Sequence, residues 1–99
     1  VANTVAHGEQ SFRREIGPRL GGEIDAARQR VGLTFREAAA RIGISYGYLA
    51  ELCQGRRCPS RGVAAAIIAV LPMTREAAEE LMAVAVERRD WQQRDQPGF

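Results

Sequence analysis

Leu33-Thr34-Phe35-Arg36-Glu37-Ala38-Ala39-Ala40-Arg41-Ile42-Gly43-Ile44-Ser45-Tyr46-Gly47-Tyr48-Leu49-Ala50-Glu51-Leu52-Cys53-Gln54-Gly55-Arg56-Arg57-Cys58-Pro59-Ser60 decides the fold of this chain. Thr34-x-x-Glu37 has the form of a capping box, in which each side chain satisfies a backbone N–H of the other residue. It predicts a helix with Leu33 and Ala38 as its hydrophobic staple and Ala38, Ala39 and Ile42 on its inner face. Gly43 stops that helix. Ser45 then reads as the N-cap of another, with Ile44 and Leu49 as its staple. Leu49, Leu52 and Cys53 are expected to face inward, and Gly55 marks the end.

Upstream, Ile16, Leu20, Ile24, Ala27 and Val31 recur at the spacing of one helical stripe. Gly17, Gly21 and Gly22 count against the start of this helix, each by up to about 1 kcal/mol relative to Ala. Gly32 is its expected end. Downstream, Pro59-Ser60 opens a fourth helix with apolar positions Val63, Ala64, Ile67, Ile68 and Leu71, broken by Pro72. Thr74 caps a fifth, expected to run to about Arg89, with Ala77, Ala78, Leu81, Met82, Ala85 and Val86 on one side. Glu79 and Glu80 come early and Arg88 and Arg89 late, the order that suits the helix dipole. No stretch alternates as a strand does. The expectation is an all-α, five-helix domain over residues 14–90, with a disordered arm at 1–13 and a disordered tail at 91–99.

The 99 residues leave room for one domain, and the 45% hydrophobic content is ordinary for a globular one. No apolar run reaches the roughly 18 residues of a membrane span. The N-terminal residues also lack a signal-like apolar centre, so a cytoplasmic setting is expected. Every one of the 14 basic residues is Arg, a bias that a GC-rich genome explains without function. Their distribution says more: residues 1–62 carry ten Arg against six acids, residues 63–99 four against six. The front of the chain is the anion-facing half. Cys53 and Cys58, with the single His7, are too few and too widely spaced for a tetrahedral metal site, so buried free thiols are expected. Nothing resembles a nucleophile–base pair, a carboxylate cluster or a phosphate loop, which argues against an enzyme.

The link between the second and third helices is only Gly43-Ile44 and the cap Ser45. So short a link forces a sharp angle and permits the third helix to enter a DNA major groove N-terminus first. Tyr46, Gly47, Ala50, Glu51 and Gln54 are the positions it leaves outward. Arg56 and Arg57 follow on a loop suited to phosphates.

The run Leu33–Ser45, then Gly47-Tyr48-Leu49-Ala50-Glu51-Leu52, then Gly55-Arg56-Arg57-Cys58-Pro59-Ser60, resembles the xenobiotic-response-element class of regulators, to which the lambda repressor and Cro-like proteins belong. The likeness spans about Ile16 to Leu81. It implies a lambda-repressor-like domain that needs no cofactor and binds double-stranded DNA as a transcriptional regulator, in the role of a repressor. It implies base contacts from Tyr46, Gly47 and Glu51. Backbone contacts are implied from Phe35, Arg36, Tyr48, Gln54, Arg56 and Arg57. Such small readers work as homodimers on palindromic operators, and the fifth helix, longer than the family's short closing helix, is the expected dimer surface.

Two positions depart from the family. A Gln that braces the backbone and the reading residue is usual where this chain has Phe35. The family also pairs an Arg of the first helix with a Glu of the third; Arg28 is in place, but Cys53 replaces the Glu. Arg28 must therefore find another partner or reach solvent. The competing reading of the same scaffold is a protein-interaction module or an antitoxin-type partner binder, the latter combining the two roles. Residue by residue there is also a plainer reading, independent of which function holds. It takes the Tyr and Arg side chains as ordinary packing and solvated groups, and Glu51 in a salt bridge to a nearby Arg as readily as in a base contact.

Overall fold

A computed structural model describes residues 15–86; the expected arm at 1–13 and tail at 91–99 lie outside them. Among the described residues five helices follow one another: α1 (Gly17–Arg30), α2 (Phe35–Ile42), α3 (Tyr46–Cys53), α4 (Arg61–Val70) and α5 (Arg75–Val84). The domain is all-α, as expected from the sequence.

Four of the five helices start on a side-chain cap. The hydroxyls of Thr34, Ser45, Ser60 and Thr74 accept from the backbone N–H three residues on, each at 3.1 Å. At Thr34 the box is closed in both directions, because its own N–H donates to Glu37 Oε1 at 2.9 Å. Each cap satisfies a donor that the helix itself cannot. The first helix is held differently. The N–H of Ile16 donates to the carbonyl of Arg57, and that of Gly17 to the carbonyl of Gly55. Pro18 follows in the first turn, where its missing N–H costs nothing.

One face of each helix meets in a common core. Leu20, Ile24 and Ala27 come from α1; Ala38, Ala39 and Ile42 from α2; Leu49 and Leu52 from α3; Ala64 and Ile67 from α4; Ala77 and Leu81 from α5. The first helix packs on α3 and α5, and α2 packs on α3 and α4. The third helix is thus backed by apolar neighbours on one side only. An ion pair between Arg19 and Glu80 also links α1 to α5.

Three expectations are corrected. The fifth helix ends at Val84 instead of running to about Arg89; residues 87–89 lie outside the described ones. Ala85 turns extended, at φ −59° and ψ 146°, and this lets Val86 pair with the entry to α4. The Val86 N–H donates to the carbonyl of Pro59, and the Arg61 N–H to the carbonyl of Val86. With Leu81 and Ala85 buried, that face of the helix closes the core. The reason for calling α5 a dimer surface, its extra length, is gone.

Val31 does not belong to the inner stripe: it lies past the last turn of α1 and is 48% exposed. Gly21 is no weakness of α1. A Cβ there would stand 2.6 Å from the carbonyl oxygen of Cys53 and from the nitrogen of Gly55. Only a residue without a side chain lets α1 and the end of α3 approach this closely.

Candidate nucleic-acid interface

The turn between α2 and α3 sets the direction of everything that follows it. Gly43 takes φ +93°, the left-handed conformation that L side chains rarely adopt, and its N–H closes on the carbonyl of Ala39 at 2.8 Å. Ser45 caps the next helix two residues later. Burial of Leu49 and Leu52 then fixes the rotation of α3 and turns Tyr46, Gly47 and Glu51 away from the core.

Three groups of side chains line this outer face. The first stands at the entry of α3. Tyr46 is 51% exposed, yet its ring is held from two sides by α2. Phe35 meets it edge-on, with centroids 6.0 Å apart and planes at 82°. The Arg36 guanidinium lies 5.2 Å from its centre. Quadrupole attraction favours both arrangements.

On the Phe35 ring in turn, Arg28 stacks at 4.1 Å. Arg28 is itself tied down, donating to Asp25 at 3.0 Å and to the carbonyl of Leu33 at 2.7 Å. Arg28 therefore has partners on its own helix and on the following turn, where the family would supply a Glu on α3. Cys53, in the Glu's place, is half-buried instead of fully buried, and so is Cys58. Burial, reinforced by the Asp25 charge and opposed by Arg28, pushes the Cys53 thiol up to about 12. The Cys58 sulfur donates to the carbonyl of Val84 at 3.1 Å.

The second group lies one turn along α3. Arg57 reaches back to Glu51 at 2.7 Å and places its guanidinium 5.0 Å from the centre of the Tyr48 ring. Ser45, Gly47, Tyr48, Glu51 and Arg57 line an open hollow here. A Cβ at Gly47 would meet nothing within 4 Å, so the hollow stays uncovered because of that glycine. The third group is the pair Arg56–Gln54, at 3.1 Å.

Of the nine residues singled out from the sequence, Phe35, Arg36 and Tyr46 come together, as do Tyr48, Glu51 and Arg57, while Gln54 and Arg56 make a pair of their own. Gly47 contributes space. Arg28 is not among the nine. Its position over Phe35 depends on how α1 crosses the start of α2, which no local pattern displays.

Among the described residues no three His, Cys, Asp or Glu side chains gather to hold a metal ion, and no helix is long and apolar enough to cross a membrane. Two capped helices joined by a left-handed glycine turn, set in an all-α core with the second helix exposed along one face, define a helix-turn-helix protein. The chain belongs to the helix-turn-helix domain family, a DNA-binding family, whose model matches residues 19–81. Comparison with curated proteins and with solved structures finds no match.

Proposed function

We propose that this chain is a sequence-specific transcriptional regulator of the Cro-like, xenobiotic-response-element type, acting as a repressor in the bacterial or phage cytoplasm on the nucleoid. Its reading unit is residues 14–90, and α3 enters the major groove. Tyr46, Gly47 and Glu51 face base edges; Phe35, Arg36, Tyr48, Gln54, Arg56 and Arg57 serve the sugar–phosphate backbone. Two copies bind a palindromic operator, since one short helix reads too few bases for adequate specificity. It performs no catalysis.

One observation carries this reading: the outer face of α3 is clear of the core and flanked by Arg36 at one end and Arg56 and Arg57 at the other. Cations at the rim suit phosphates, and a polar, uncovered centre suits base edges. Glu51 in that centre is matched to cytosine N4, a donor in the major groove. Selection of bound sequences from random duplex DNA tests it. The expected product is a two-fold symmetric site whose affinity falls steeply with salt through counterion release. A chain that enriches no sequence, or whose binding ignores salt, is a protein-interaction module instead.

A further inference from the structure

We propose that the Glu51–Arg57 ion pair is a discrimination gate, which withholds Arg57 from phosphate until Glu51 is given another partner. The inference rests on the DNA reading above and adds to it a role for Glu51 against the wrong sequence. Arg57 is a cation on the uncovered side of α3, with its side chain 55% exposed, but its charge is spent on Glu51. The Tyr48 ring against the guanidinium favours the same rotamer.

The backbone around Arg57 is fixed at both ends of the loop. The Arg56 N–H donates to the carbonyl of Glu51 at 2.9 Å, and the Arg57 carbonyl accepts from Ile16 at 3.2 Å. Exchange of Glu51 for a phosphate is thus a side-chain rotation, with no loop movement required. Gly47, one turn before Glu51 on the same face, places no side chain over the pair.

On a duplex that offers Glu51 no donor, breaking the pair leaves a carboxylate facing a field of phosphates. Arg57 gains a phosphate while Glu51 loses its counter-charge in the hollow, and the two effects oppose. A duplex that presents a base amino group to Glu51 removes the opposition. The pair thereby lowers affinity for every sequence but the suitable ones, which is specificity obtained by penalising the alternatives.

The test uses the full chain, a random-sequence duplex pool as probe, and the variants Glu51→Gln, Arg57→Ala and both together, each titrated across salt. Glu51→Gln keeps the size of the side chain and removes its charge. It is expected to raise affinity for the random pool about two- to fivefold, the range of an exposed ion pair, and to steepen the salt dependence. In the Arg57→Ala background at least half of that gain, on a logarithmic scale, should disappear. Equal gains in both backgrounds mean that Glu51 acts only as a general negative charge, and overturn the gate. So does a Glu51→Gln variant that binds the pool no better than the parent. If neither parent nor variants bind the pool even at low salt, the gate falls together with the DNA reading, a result distinct from the other two. Thermal melting of each variant confirms that the fold is retained.

Discussion

The Phe35 ring stands edge-on to the Tyr46 ring across the turn between α2 and α3, at 6.0 Å between centroids. It gives an exposed aromatic a fixed direction by apolar means. An edge-to-face pair is worth about 0.5–1.5 kcal/mol beyond its buried area. Arg28, stacked on Phe35 and anchored by Asp25 and the Leu33 carbonyl, stiffens the arrangement further.

From this contact, Phe35→Leu should retain the fold and lose discrimination between a selected site and random DNA. The effect should be non-additive with Tyr46→Ala, because once the Tyr46 ring is gone there is nothing for Phe35 to direct. A double-mutant cycle on specific and random duplexes measures it. Strict additivity would mean that Phe35 only fills space.

The base-facing and rim residues should fail in different ways. Arg56→Ala should weaken binding about equally on every duplex and flatten the salt slope by about one unit for the lost phosphate contact, whereas Arg57→Ala, gated by Glu51, should weaken the preferred site more than random DNA. Tyr46→Ala should narrow the gap between preferred and random DNA by about 1–3 kcal/mol. Titrations at several salt concentrations separate the two patterns. If Arg56→Ala altered sequence preference while Tyr46→Ala altered nothing, the docking of α3 would have to be reversed.

Neighbouring glycines in α1 should respond with opposite signs. At Gly21 a Cβ meets backbone atoms of Cys53 and Gly55 at 2.6 Å, so neither side can yield cheaply. Gly21→Ala should cost about 1–3 kcal/mol through overpacking, a fall of several degrees in Tm. At Gly22 a Cβ meets nothing within 4 Å, and the substitution only restores helix propensity. Gly22→Ala should stabilise by about 0.5–1 kcal/mol. Two thermal melts against the parent decide the matter.

Glu37 ties the cap of α2 to pH. Its hydrogen bonds with the backbone and the side chain of Thr34 hold its carboxyl below the ordinary 4.5. A lowered pKa means the stabilisation is complete above the unfolded value and disappears as pH falls through the folded one. The Tm advantage of the parent over Glu37→Gln should therefore be steady near neutrality and close below about pH 4.5. An advantage that persists unchanged well below that pH would show that the neutral side chain caps equally well.

Cys53 should be slow to alkylate. With its thiol pushed from 9.0 up to about 12, the thiolate is about a thousandfold scarcer than in an ordinary cysteine at the same pH. Mass mapping after iodoacetamide at mildly alkaline pH, native and in denaturant, should find Cys53 modified rapidly only when the chain is unfolded.

What local chemistry specifies is legible in the sequence alone. Thr34, Ser45 and Thr74 announce helix starts because a cap is completed within four residues of chain. Gly43 and Gly32 announce helix ends because the left-handed conformation is a single-residue property. The inward faces of α2 and α3 follow from periodicity, and with them the outward set Tyr46, Gly47 and Glu51. Such signals need no knowledge of what packs where. Tertiary structure decides the rest. The two glycines at 21 and 22 are alike in sequence, and only the crossing of α1 over the end of α3 makes one indispensable. Val86 leaves the helical pattern because the Pro59 carbonyl and the Arg61 N–H, from a distant stretch, satisfy its backbone as well as another helical turn would. Arg28 finds Phe35 through a contact whose distance depends on how α1 packs against the start of α2, whereas the Glu51–Arg57 pair, six residues apart, is already one sequence reading of Glu51 that the structure forms. Periodicity names the face on which a side chain lies; which group it meets there is settled when the other helices close around it.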